Sequence, residues 1–107
     1  LAVIGVTFKV GEHNPVIEGI WQNVPAAGET KMVDSVMVNA ADLMPADKSY
    51  YKYDGSLTTP PCSEGVKWHV VQQPIELSAN QLKAFQAVFP VNARPIQSLN
   101  VRTVSGN

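Results

Sequence analysis

The most distinctive stretch of this chain is Tyr53-Asp-Gly-Ser-Leu-Thr-Thr-Pro-Pro-Cys62, a run that ordinary folding does not require. Asp54-Gly-Ser56 is typical of a turn, because an aspartate side chain can bond to its own backbone and glycine adopts positive φ without steric cost. Thr58 and Thr59 are β-branched, which restricts the directions of their hydroxyl groups, and the two prolines that follow fix two φ angles. The stretch therefore predicts a rigid loop that presents hydroxyl groups.

The segment after this loop has the pattern of a strand. Gly65-Val-Lys-Trp-His-Val-Val71 alternates so that Val66, Trp68 and Val70 share one face. Residues 44–61, by contrast, are expected to be mostly irregular backbone, since their length without regular structure is more often functional. A stiff turn between two β elements, without a functional role, is the alternative interpretation of the loop.

The first ten residues are predicted to form a single strand. Leu1–Val10 is apolar on both faces at its start, which is typical of a strand inside a sheet. We therefore expect the chain to be part of a protein from which the flanking strands are missing.

Two short helices are also predicted. Asn14 is a good cap for a helix from about residue 15 to residue 24. Ser78 and Gln81 form a capping box for a second helix, which Pro90 ends. No repeat or linker divides the chain, so residues 1–107 are expected to belong to one domain.

Composition limits the partners of the chain. Eight basic and nine acidic side chains give a net charge of −1, without a basic cluster that would follow a phosphate backbone, so we expect no nucleic acid partner. The apolar runs are much shorter than the roughly 18 residues of a membrane-spanning helix, and the chain does not open with a signal sequence. We therefore expect no membrane partner.

Three motifs together carry a family resemblance. Tyr53–Cys62, Val66-Lys-Trp68 and Asn92-Ala-Arg-Pro95 occur in this order and closely resemble the C-terminal half of an α-class carbonic anhydrase of the bacterial type. Leu1–Gly11 resembles the central strand of that family, and Asn92–Asn100 resembles its C-terminal strand. The resemblance implies a mostly β (α+β) fold, with part of a large, twisted, mainly antiparallel sheet and short peripheral helices. It also implies a lyase that interconverts carbon dioxide and bicarbonate.

The implied cofactor is zinc, bound by three histidines with a fourth position open. This chain contains only His13 and His69, which lack the His-x-His spacing of two ligands on one strand and match no ligand position of the family. We assign neither of them as a metal ligand. By resemblance, the zinc ligands lie upstream of Leu1.

The resemblance implies a role for each residue of the loop and the strand. Thr58 is the catalytic candidate: its hydroxyl accepts a hydrogen bond from zinc-bound hydroxide and donates one to a glutamate upstream, and its backbone N–H meets anionic inhibitors. Thr59 lines the wetter side of the substrate site. The apolar wall for carbon dioxide consists of Val3, Leu57, Val66 and Trp68, and the residues that buttress the loop are Tyr53, Asn92 and Arg94. A cis peptide bond is expected between Pro60 and Pro61.

Cys62 is the only cysteine, and the resemblance implies a disulfide to a cysteine outside this chain. The family and this cysteine together indicate a periplasmic or secreted protein. We expect the isolated chain to be inactive and to need the missing N-terminal segment or a complementing chain as its partner. The sequence leaves open whether the protein forms a homodimer.

Two alternatives remain. The first is a non-catalytic module that resembles carbonic anhydrase, keeps the sheet for binding and lacks zinc. The second is an unrelated β-sandwich with a rigid Thr-Pro loop. Histidines in the preceding segment, or their replacement, distinguish the enzyme from the first alternative.

Overall fold

Six strands, two α-helices and one 3₁₀ helix are present in the computed structural model, which describes residues 1–107. In chain order, the elements are β1 (Ala2–Gly5), β2 (Phe8–Val10), α1 (Pro15–Trp21), the 3₁₀ helix (Ala40–Leu43), β3 (Tyr50–Ser56), β4 (Glu64–Val71), β5 (Ile75–Leu77), α2 (Ala79–Val88) and β6 (Ser105–Gly106). No helix is long and apolar enough to cross a bilayer.

The residues group into two compact units. The first unit, which we call the sheet unit, contains Leu1–Thr7, Pro45–Pro74 and Ala93–Asn107. The second, the helical unit, contains Phe8–Met44 and Ile75–Asn92.

The sheet unit contains four strands in the order β1-β4-β3-β6. β3 is antiparallel to both of its neighbours, whereas β1 runs parallel to β4. The central pair is the most extensive, running from Tyr50 opposite Val71 to Ser56 opposite Glu64. The predicted fold class, mostly β with a mainly antiparallel sheet and short helices, is confirmed.

The helical unit is organised around a buried glutamine. β2 and β5 pair in parallel, and α1 and α2 are capped by Asn14 and Ser78 as the sequence predicts. The Oε1 atom of Gln81 accepts hydrogen bonds from the backbone N–H groups of Asn14 and Ser78, at 2.9 and 3.0 Å, while its Nε2 donates to the Asn14 carbonyl at 2.7 Å. Gln81 therefore joins the N-termini of both helices.

The prediction of one strand over Leu1–Val10 is wrong. Two strands occur instead, and each pairs with a different partner, β1 with β4 and β2 with β5. The segment between β4 and β5 bends at Gln72 and Gln73, and Pro74 lacks the N–H that a strand ladder needs. Because β1 pairs with β4 and β2 with β5, the break between β4 and β5 leaves Val6 and Thr7 without strand partners.

The prediction of irregular backbone between residues 44 and 61 is also wrong, because β3 occupies Tyr50–Ser56. Asp54-Gly-Ser56 does not reverse the chain but ends this strand, with a register shift between Gly55 and Ser56. Pairing with β4 overrides the local turn preference of these residues.

The boundaries differ at two other places. α1 ends at Trp21, short of the predicted residue 24. Asn92–Asn100 contains no strand, and the last strand is β6, which pairs with Tyr51 and Lys52.

Candidate functional site

The loop of residues 57–63, here called the Thr58 loop, connects β3 to β4 in the sheet unit. It is closed by two backbone hydrogen bonds, from Leu57 N–H to the Ser63 carbonyl and from Cys62 N–H to the Thr59 carbonyl, both 2.9 Å long. The expected cis bond between Pro60 and Pro61 is present, and Cys62 has a φ of 58°. The loop is thus a short ring of backbone with both of its threonines exposed.

Thr58 lies at the wall of a cavity of about 720 Å³ within the sheet unit. Its hydroxyl forms no hydrogen bond with another group of the chain, so both its donor and its acceptor capacity are available. Trp68, Cys62 and Arg102 line the same cavity, whereas Thr59 and Leu57 do not.

Three of the four residues predicted for the apolar wall lie on one face of the sheet. Val3 is the register partner of Trp68, and Val66 lies two residues from Trp68 on the same strand. Val66 is only 2% exposed, while Val3 and Trp68 are half-buried. The fourth residue, Leu57, is half-buried in the Thr58 loop rather than in the sheet.

Trp68 is held by contacts of two kinds. Its indole Nε1–H donates a hydrogen bond of 2.9 Å to the Ser56 carbonyl. Its ring stacks on Tyr53, with centroids 6.3 Å apart and an interplanar angle of 5°. A Cβ added at Gly55 would lie 2.8 Å from the Cδ1 atom of Trp68. Sequence reasoning missed the hydrogen bond, although a glycine two residues after Tyr53 is a signal for a close-packed neighbour.

Arg102 is a second residue that sequence reasoning missed. Its guanidinium donates to the carbonyls of Ser98, Leu99 and Asp54, at 2.6, 3.1 and 3.0 Å. The bond to Asp54 ties the C-terminal segment to β3, and the other two bonds are local to that segment.

The predicted buttress residues behave differently. Asn92 and Arg94 are exposed, and neither side chain forms a hydrogen bond within the chain. Tyr53 supports Trp68 by stacking of the rings rather than by a hydrogen bond. The nearby ion pair between Lys67 and Asp54 has side chains that are 65% and 68% exposed, so solvent screening leaves it little stabilising effect.

The residues of this chain do not form a zinc site. His13 belongs to the helical unit and His69 to the sheet unit, where the ring of His69 meets Tyr50 edge-on at 5.2 Å. No group of three or more His, Cys, Asp or Glu side chains is placed to hold a metal ion. Cys62 is half-buried and carries a free thiol in this chain.

A family model described as eukaryotic-type carbonic anhydrase matches residues 1–107. The carbonic anhydrase of Nostoc sp. is 44% identical over 97% of this chain and 40% of its own length. That of Pectobacterium carotovorum is 41% identical over 97% of this chain and 43% of its own length. The chain thus spans about two fifths of the length of the curated relatives that it matches.

Solved structures show the same similarity. The α-carbonic anhydrase from Thermovibrio ammonificans, in complex with the inhibitor sulfanilamide, matches with a TM-score of 0.91 and 45% identity, over 96% of this chain and 46% of the other. A hyperthermostable carbonic anhydrase from an active hydrothermal vent chimney matches with a TM-score of 0.91 and 50% identity, over 98% of this chain and 47% of the other.

Proposed function

This chain belongs to the eukaryotic-type carbonic anhydrase family, and we propose on that basis that the intact protein is a zinc-dependent enzyme that interconverts carbon dioxide and bicarbonate. The observation that carries the proposal is the placement of Thr58, whose hydroxyl is unengaged on a closed loop and lines a cavity together with Trp68.

Thr58 has the chemistry to orient the attacking oxygen. A hydroxyl donates one hydrogen bond and accepts others at the same time, so it can fix the direction of a reacting oxygen that it contacts. The two backbone bonds of the Thr58 loop limit the positions that this hydroxyl can reach. Thr59, which is exposed, is proposed to line the wetter side of the site.

The apolar wall suits carbon dioxide, which is itself apolar. Val3 and Trp68 are half-buried neighbours on one sheet face and retain apolar surface for a substrate. Val66 is almost fully buried in this chain, so we assign it a supporting role through packing. Leu57 would extend the wall from the loop.

Zinc would supply the activation of water in the intact protein, but no residue of this chain is assigned to it. The ligands are proposed to lie on a segment that precedes Leu1, in keeping with the greater length of the relatives. A cysteine on that segment is the proposed disulfide partner of Cys62, which would place the protein in the periplasm or outside the cell. The isolated chain is proposed to be inactive for lack of these ligands.

The test compares Thr58→Ala, Thr58→Ser and Thr59→Ala in the full-length protein, with carbon dioxide hydration followed by stopped flow and zinc measured on each sample. Loss of a group that orients a reacting oxygen typically lowers activity by roughly 10- to 100-fold. We expect that loss for Thr58→Ala with unchanged zinc content, partial recovery for Thr58→Ser, and a smaller effect for Thr59→Ala. Equal kcat values for the wild type and Thr58→Ala would contradict the role of Thr58.

The same measurements address the second candidate, a non-catalytic binding module. A full-length protein that binds no zinc and does not hydrate carbon dioxide would favour the module.

A further inference from the structure

We propose, on the basis of the function proposed above, that Trp68 is a positioning residue whose indole N–H fixes the backbone from which the Thr58 loop departs. The indole nitrogen, on β4, donates across the sheet to the Ser56 carbonyl at 2.9 Å. Ser56 is the last residue of β3 and lies two residues before Thr58. This role differs from that of an apolar wall, which needs only the surface of the ring.

The bond lies where the ladder is irregular. Gly55 pairs with Val66, but the next pair is Ser56 with Glu64, so Gly65 is left out of the register. Such a bulge weakens regular pairing and re-aims the chain that follows it. A cross-strand bond from a rigid indole therefore adds a constraint at the last step before the loop.

The indole is itself held in place. Stacking on Tyr53 restrains its plane, and an added Cβ at Gly55 would lie 2.8 Å from Cδ1 and 3.2 Å from Nε1. The donor therefore sits in a close-fitting position beside the β3 backbone. The stacked Tyr53 ring limits how far the indole can move away from the carbonyl.

No side chain other than that of Trp68 holds residues 56–63 from outside this segment by donating a hydrogen bond. The hydroxyl of Ser56 bonds locally to the Leu57 carbonyl, and the remaining bonds of the Thr58 loop are between its own backbone groups. The indole of Trp68 is thus the only side chain from elsewhere in the chain that donates a hydrogen bond to residues 56–63. Since Thr58 makes no side-chain bond within the chain, its position depends on the backbone that Trp68 helps to fix.

The chain provides a matched control in its second tryptophan. The Nε1–H of Trp21 also donates to a backbone carbonyl, that of Gln81, at 2.9 Å. Its ring also stacks on an aromatic neighbour, Phe85, at 5.5 Å. Trp21 belongs to the helical unit, so its replacement by phenylalanine removes the same kind of bond away from the Thr58 loop.

The experiment compares Trp68→Phe and Trp21→Phe in the full-length protein by amide hydrogen exchange and by steady-state kinetics. A lost hydrogen bond corresponds to roughly a five- to tenfold change in a local opening equilibrium. For Trp68→Phe we expect the amides of Leu57 and Cys62 to exchange faster by that factor, and kcat to fall by a similar factor at constant KM. For Trp21→Phe we expect faster exchange in α2 and an unchanged kcat.

Two results would overturn the proposal. Loop amides that exchange at the wild-type rate in Trp68→Phe would show that the indole N–H does not fix the backbone. A higher KM at constant kcat would show that the ring acts only as an apolar wall.

A measurement on the wild type covers the case in which Trp68→Phe does not fold. The indole N–H signal of Trp68, identified by sequence-specific resonance assignment, should exchange with solvent at least about tenfold more slowly than free indole. Exchange at the rate of free indole would overturn the proposal. If the wild type does not hydrate carbon dioxide, the proposed function fails, whereas both exchange measurements still decide whether Trp68 holds the loop.

Discussion

At the scale of single residues, Gly55 sets the space available to Trp68. Alanine at this position would bring its Cβ within 2.8 Å of a ring atom that stacking on Tyr53 prevents from moving freely. Overpacking of this kind typically costs about 1–3 kcal/mol, and we expect Gly55→Ala to lower the free energy of unfolding by that amount in denaturant titrations.

Gly19 is the control for this substitution. It lies inside α1, and a Cβ there would meet no atom within 4 Å. Alanine is favoured over glycine in helices by up to about 1 kcal/mol, so Gly19→Ala should leave stability unchanged or raise it. Equal effects of the two substitutions would contradict the steric argument.

We expect the stability of the protein to depend on the protonation of Asp47. The backbone N–H of Ser49 donates to its carboxylate at 2.9 Å, and the backbone and side-chain hydrogen bonds from Ser49 lower the pKa of Asp47 below its ordinary value. A lowered pKa stabilises the fold above the pKa of the unfolded chain, and this contribution is lost as pH falls through the folded pKa. Asp47→Asn should therefore be less stable than the wild type at neutral pH and lose less stability in acid. Parallel curves of unfolding free energy against pH would contradict this expectation.

At the scale of the elements, Gln81 connects the two helices of the helical unit. It is 4% exposed, and its side chain exchanges three hydrogen bonds with the backbone of Asn14 and Ser78. Truncation leaves partly buried backbone N–H groups of Asn14 and Ser78 without their partner, which costs about 1–3 kcal/mol for each group that water does not reach. We expect Gln81→Ala to destabilise the protein by about 2–4 kcal/mol in thermal and denaturant unfolding.

Gln86 is the matched control on the same helix. It is exposed and makes no side-chain hydrogen bond within the chain, so Gln86→Ala should change stability by no more than about 0.5 kcal/mol. A similar loss for both alanine variants would contradict the stabilising role of the buried hydrogen bonds of Gln81.

The elements also show which features a sequence can predict. Both helix caps were predictable because the side chains of Asn14 and Ser78, and that of Gln81 toward Ser78, act on backbone groups two or three positions away. β3 was missed because its stability comes from pairing with β4, while the local signal of Asp54-Gly-Ser56 favours a turn. Local chemistry thus predicts caps, whereas strands that depend on distant partners require the partners to be known.

The candidate site shows the same difference between features that are local in sequence and contacts between distant residues. The loop, its cis bond and the exposed threonines follow from a contiguous motif. The bonds of Trp68 to Ser56 and of Arg102 to Asp54 join residues that are far apart in the sequence, and no local pattern indicates them.

At the scale of the whole molecule, this chain carries many exposed hydrophobic side chains. Leu1 is 77% exposed, Met37 and Val101 are 98% exposed, and Ile96 is fully exposed. Exposed apolar surface of this kind favours association. We expect residues 1–107, produced alone, to form concentration-dependent assemblies in size-exclusion chromatography with light scattering, and to lack carbon dioxide hydration activity.

The full-length protein is the control for this expectation. A monodisperse, monomeric preparation of residues 1–107 would contradict the association, and measurable hydration activity would contradict the assignment of zinc ligands to another segment. A single species of twice the chain mass would instead support the homodimer that the sequence leaves open.

The parallel pairing of β1 with β4 has a consequence for biosynthesis. Ala2 pairs with Lys67, about 65 positions later, and Phe8 with Ile75 at a similar separation. Ribosomes add about 5–20 residues per second, so β1 waits roughly 3 to 13 s for its partner to be synthesised. The nascent chain therefore carries the apolar strand β1 without its β4 partner for that time in every round of translation, and slow codons between the two strands should lower the soluble yield.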